Sequence, residues 1–120
     1  VTTGGNVEAD GQVGSLLSTT STPAGVVQTI DWDNGNVQVI NLSDCTGDVT
    51  LTLSNPKDGF VYKLKVIQDA AVARDLIYPA SVLHPGGVIP VISAGALAVD
   101  QLELVYDGTN YLMTVAQDFS

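Results

Sequence analysis

The sequence predicts an all-β protein: an antiparallel β-sandwich or barrel-like single domain over residues 26–120, behind an extended N-terminal arm over residues 1–25. Three observations predict it. Several short segments alternate apolar and polar side chains with a period of two, the signature of a half-buried strand. Turn dipeptides, chiefly Asn34-Gly35 and Asp107-Gly108, separate such segments at close spacing. No long window keeps a helical apolar period without a Gly or Pro; "VISAGALAVDQ" comes closest and is not expected to be a helix.

Residues 1–25, "VTTGGNVEADGQVGSLLSTTSTPAG", are rich in Gly, Ser and Thr, with Val1, Val7, Val13, Leu16 and Leu17 as their only large aliphatic side chains. Such a segment buries too little apolar area to offset an ordering entropy of about 1–2 kcal/mol per residue. An ordered arm of this composition therefore needs something to lie on, and a neighbouring subunit is the expected support. From residue 26 onward strand follows strand. "VVQTI" and "NVQVINL" flank Asn34-Gly35 and read as a hairpin. "DVTLTLSNP" sets Val49, Leu51 and Leu53 against Thr50, Thr52 and Ser54 and stops at Pro56. "FVYKLKVIQD" sets Tyr62, Leu64 and Val66 against Lys63 and Lys65. The clearest hairpin is "QLELVYDGTNYLMTVA": Leu102, Leu104 and Tyr106 lead into the turn, and Tyr111, Met113 and Val115 lead out.

Composition narrows the function classes. With 45% hydrophobic and 14% charged residues, the chain has the make-up of a folded domain, and 120 residues suffice for one core. Thirteen acids face four bases, for a net charge of −9. Lys57, Lys63, Lys65 and Arg74 are too few in an anionic field to neutralise a nucleic-acid backbone, and that field repels anionic lipid. No partner of either kind is expected. The stretch Leu76–Val99 carries no Asp, Glu, Lys or Arg, yet Pro79, Pro85, Pro90, Gly86, Gly87 and Gly95 interrupt it too often for a spanning helix. No basic region followed by an apolar run marks a signal peptide, and Val1 is compatible with loss of an initiator Met.

"DWDNGN" offers Asp31, Asp33 and Asn34 as oxygen ligands, but Gly35 falls at position 5 and Leu42 at position 12 of the loop, where an EF-type site needs Gly at 6 and an acid at 12. Turn geometry explains these residues better, and no metal or other cofactor is expected. Trp32 reads as a sheet-packing anchor rather than a sugar platform. His84, ahead of Pro85-Gly86-Gly87, reads as an exposed loop histidine. Cys45, the only cysteine, reads as a buried thiol flanked by Asp44 and Asp48. No nucleophile–base motif or phosphate-cradling loop is present, and an enzyme is not expected.

The order of these pieces carries a resemblance. A Trp-bearing hairpin in "IDWDNGNVQVINL", then "LTLSNP", "KVIQD", an aromatic–Pro step at Tyr78-Pro79, "PGG" and "VYDGTNY" together resemble a β-rich module of tailed-bacteriophage virion proteins, found in capsid-decorating and tail-fibre-like proteins. It covers about three-quarters of the chain. Two positions depart from it: Tyr78 stands where such modules often carry Trp, and Leu83-His84 where a second aromatic is expected. The resemblance implies a structural, trimer-building role, as a capsid decoration (cement) protein on the outer surface of the particle in contact with the major capsid protein. A tail-fibre or spike module recognising a host surface or glycan, through loops near Trp32, His84 or Thr109-Asn110, is the alternative. The uncharged stretch and the arm supply the expected subunit contacts: Val1, Val7, Val13, Leu16, Leu17, Leu83, Val88, Ile89, Val91 and Ile92.

Overall fold

A run that alternates Val49, Leu51 and Leu53 with Thr50, Thr52 and Ser54 can satisfy its side chains only as a strand with one face turned inward. The computed structural model, which describes residues 17–21 and 26–120, places strands at all the alternating segments. In chain order they are β1 (Leu17–Ser21), β2 (Val27–Asp31), β3 (Val37–Asn41), β4 (Val49–Ser54), β5 (Val61–Ile67), β6 (Leu76–Ile77), β7 (Val82–Leu83), β8 (Val99–Tyr106) and β9 (Tyr111–Phe119). Helical geometry is confined, among the described residues, to single 3-10 turns at Trp32–Asn34 and Pro85–Gly87. The protein is all-β.

The connections differ from the expected antiparallel ones. Strands β1 to β6 alternate between two sheets, one ordered β1-β3-β5-β8-β9-β7 and the other β2-β4-β6. Within each sheet the coiled part is parallel: β1 beside β3, β3 beside β5, β2 beside β4 and β4 beside β6. Val27 lies beside Thr50 and Val37 beside Lys63, so each turn of the coil adds one strand to each sheet, as in a β-solenoid. Among the described residues only β5-β8-β9 is antiparallel. A mixed, solenoid-like pair of sheets thus replaces the expected antiparallel sandwich. The reason is that period-two alternation reports which face is buried and is silent about strand direction.

Asn34-Gly35 shows how this happens. It closes no hairpin, since β2 and β3 lie in different sheets. Instead Trp32–Asn34 makes a 3-10 turn that carries the chain around a corner, capped by the Asp31 carboxylate, which accepts from the Asp33 N–H at 3.0 Å. Gly35 then takes φ 146°, ψ 156°, a conformation open essentially to glycine alone. Buried Gln38 secures the corner by donating to the carbonyls of Asp31 and Gly35 at 2.7 and 2.9 Å. The β8–β9 hairpin, by contrast, forms as expected, with Tyr106 opposite Tyr111 and the Asp107 carboxylate accepting from the N–H groups of Thr109 and Asn110.

The core lies between the sheets. Ile30, Ile40, Leu42, Val49, Leu51, Tyr62, Leu64, Val66, Leu102, Leu104, Tyr111 and Met113 meet there. Trp32 is inside it, its ring stacked on Tyr62 at 4.4 Å and its Nε1–H donating to the Tyr111 hydroxyl at 3.0 Å. Burial pushes the Tyr111 hydroxyl up to about 12, with the Trp32 hydrogen bond pulling the other way. Two further polar side chains are buried as connectors. Asp100 accepts from the backbone N–H groups of Ser93 and Asp118, and Gln68 ties the loop after β5 to the loop before β8.

The corner carboxylates predict an acid limb of stability. Asp31 and Asp107 are held below the ordinary 3.8, Asp31 first by its hydrogen bond from Asn55 and then by the Asp33 N–H, Asp107 by the N–H groups of Asn110 and Thr109. A depressed folded value means that the contribution is complete above the unfolded carboxylate range and is lost as pH falls through the folded one. The melting temperature of the Asp31→Asn/Asp107→Asn variant is therefore expected to fall less steeply below about pH 4 than that of the parent. Parallel curves would assign the acid limb to other carboxylates.

Candidate functional site

The charge-free stretch that begins at β6 leaves most of its aliphatic side chains in solvent. Prolines set its course: Pro79 ends β6, and Pro85 opens the turn in which Gly86 and Gly87 take positive φ (64° and 73°). A segment so broken cannot lay a regular face on the core. Leu76, Val82 and Ile92 reach inward, whereas Val88 is 71% exposed and Ile89 and Val91 are each 64% exposed. Leu83 and Ile77 are exposed as well.

Register adds a second component. Val61 lies beside Val105, Val105 beside Leu112, and Leu112 beside Leu83. These four side chains form one apolar row across β5, β8, β9 and β7 on the outer face of the six-stranded sheet. Val61, Leu112 and Leu83 are exposed there, and Val105 is half-buried. Shallow clefts join the row to the loop. One runs over Leu83, Pro85, Val105 and Leu112 with Glu103 at its border, and a second, about 460 Å³, lies between Val88 and Val91 of the loop and Val115 of β9. The third is bounded by Ile77, Tyr78, Leu83 and Ile89. Loop and row make one continuous apolar surface. Exposed patches of this kind on a folded domain mark contact surfaces.

The expected contact residues divide accordingly. Leu83, Val88, Ile89 and Val91 lie on this surface. Ile92 does not: it is 3% exposed and belongs to the core, because the chain turns inward at that point to reach β8. Val1, Val7, Val13 and Leu16 lie outside the described residues. Leu17 opens β1 with its backbone beside Val37, so part of the stretch read as an arm is a strand of the larger sheet. Sequence reading missed the outer-face row: Val105 and Leu112 share the predicted hairpin, but Val61 and Leu83 are distant in sequence and join them only through register.

Other candidate residues have structural employment. The Asp31 carboxylate accepts from Asp33 N–H and Asn55 Nδ2, and Lys57 Nζ lies 3.3 Å from Asp33, so the acids of "DWDNGN" shape the corner. His84 is not the exposed loop residue expected; it is half-buried with its ring 5.3 Å from that of Tyr78. Among the described residues neither His84 Nδ1 nor the Tyr78 hydroxyl has a hydrogen-bond partner. Burial, with Asp75 and Asp100 adding to it, pushes Tyr78 far up, so it offers a neutral hydroxyl and no phenolate. Cys45 is buried, and burial raises its thiol, with Asp69 and Asp44 adding and Arg74 opposing. What this surface offers chemically is apolar area left in solvent. Comparison with protein-family models, curated proteins and solved structures found no match.

Proposed function

We propose that the chain is a non-enzymatic structural protein of a virus particle, a capsid decoration protein that assembles as a homotrimer on the outer surface of a phage head, against the major capsid protein. The observation that carries this reading is the apolar surface formed by Leu83, Val88, Ile89, Val91, Leu112 and Val61, bordered by the single carboxylate of Glu103. On a protein of net charge −9, a large apolar surface with one carboxylate at its border, Glu103, is where subunits can meet at low electrostatic penalty. A cyclic arrangement closes that surface about an axis, and the acidic remainder keeps the assembly soluble. Repetition over a lattice then supplies strength through many modest contacts.

The test is attachment. Purified chain added to undecorated phage heads is expected to bind in many copies across the shell. A chain lacking residues 1–16, which leaves β1 intact, is expected to stay folded and fail to attach. Full decoration by the truncated chain, or a few copies confined to the tail, would overturn the proposal.

One feature favours the second reading, a tail-fibre module that recognises a glycan. Phe60, exposed beside Asn36, Asn55 and Lys57, borders a small cleft at the Trp32 corner, an aromatic ring with hydrogen-bonding groups around it. Glycan-array binding that is lost in Phe60→Ala would support that role.

A further inference from the structure

Strand β9 is nine residues long, but on its outer edge β7 covers only Tyr111 and Leu112. The Tyr111 N–H donates outward to the Ser81 carbonyl at 2.8 Å, so by strand alternation the backbone groups of Met113 and Val115 point to that same edge, up to the irregularity that follows Ala116. Among the described residues no other strand lies there. The loop wall of Pro85, Val88 and Val91 leaves the cleft described above alongside this edge, closed at its far end where the Gln117 side-chain amide donates to the Val91 carbonyl. An open edge with an apolar cleft beside it accepts an added strand: backbone hydrogen bonds hold it, and the cleft takes alternate side chains.

We propose that the occupant is residues 7–13 of a second copy of this chain. "VEADGQV" places Val7, Ala9, Gly11 and Val13 on one side of a strand and Glu8, Asp10 and Gln12 on the other. The first set is small or apolar and suits the uncharged cleft; the second falls on the outer face beside exposed Thr114, beyond the apolar row and one strand away from Glu103. Geometry requires the segment to come from another copy. β1 and β9 stand at opposite sides of the sheet, and a strand added outside β9 lies five strand spacings from β1, roughly 24 Å. From Val13 to Leu17 the backbone spans at most about 14 Å. Repeated head to tail, the exchange closes a ring. The inference rests on the reading of the chain as self-assembling and is independent of whether the assembly sits on a virion.

Cross-linking of full-length chains tests it. Glu8→Cys, Asp10→Cys and Gln12→Cys chains are each mixed with Thr114→Cys chains and oxidised; native Cys45 is buried and does not compete. A disulfide-linked pair containing one chain of each kind is expected from at least one mixture. It should be lost with Ala9→Cys, whose side chain turns to the other side, and with Lys65→Cys in place of Thr114→Cys. No cross-link above those controls overturns the strand exchange, and so does an intrachain disulfide in a monomeric Asp10→Cys/Thr114→Cys chain. Light scattering on the unmodified protein separates the two levels: an oligomer without the cross-link sinks only the edge pairing, whereas a monomer sinks the assembly as well.

Discussion

Gln68→Leu is expected to destabilise the fold by about 3–5 kcal/mol, which lowers the melting temperature by roughly 15 °C or more in a domain of this size. The side chain is 1% exposed, and each of its polar atoms is used twice. Nε2 donates to the carbonyls of Arg74 and Ser93 at 2.8 and 3.0 Å, and Oε1 accepts from the N–H groups of Asp69 and Arg74 at 2.9 and 3.0 Å. Four backbone groups in two loops therefore depend on one amide. Leucine has similar volume and leaves those groups without partners, each at about 1–3 kcal/mol before relaxation. Gln68→Glu keeps the acceptor and turns a second oxygen toward two carbonyls, so it is expected to fail almost as badly. Gln38→Leu removes only two donations and should cost less. Chemical denaturation of the three variants checks the order, and equal midpoints for Gln68→Leu and the parent would remove the clamp from the account.

Strands were legible in the sequence because each one separates its faces chemically. Val49 and Leu51 against Thr50 and Thr52, or Tyr62, Leu64 and Val66 against Lys63 and Lys65, declare an inside wherever the strand is placed. Direction was not legible. Asn34-Gly35 serves a two-residue hairpin in one context, and here glycine's freedom is spent on a corner between sheets. What selects the corner is Trp32, whose ring must reach Tyr62 and Tyr111, and Gln38, which holds the carbonyls on both sides of the turn. Both contacts are tertiary. The surface was legible in part for the same reason. Absence of charge from Leu76 to Val99 pointed to Leu83, Val88, Ile89 and Val91 without telling which aliphatics turn inward, so Ile92 was grouped with them although it fills the core. Of the partners of Leu83 on the outer face, Leu112 and Val105 share the hairpin that the sequence does predict, whereas the places of Val61 and of Leu83 itself beside it come only from strand pairing.

That difference between Ile92 and its neighbours supports the second large expected effect. Ile89→Glu/Val91→Glu is expected to leave the melting temperature of the isolated subunit within the range set by about 0.5 kcal/mol, since both side chains stand in solvent, while weakening self-association by at least about 100-fold. Burying an unpaired carboxylate in an apolar contact costs several kcal/mol, and two such groups exceed what a modest interface can offset. Because the chain already carries −9, added negative charge alone could drive subunits apart. The Ile89→Lys/Val91→Lys pair decides between these causes: desolvation opposes either sign, whereas net repulsion is relieved by lysine. Ile92→Glu supplies the opposite control, since it puts a carboxylate into the core and should lose the fold itself. Molar mass by light scattering, read with thermal melts of the same samples, checks all three. Glutamate and lysine pairs that retain the parent's mass would show that subunits meet elsewhere.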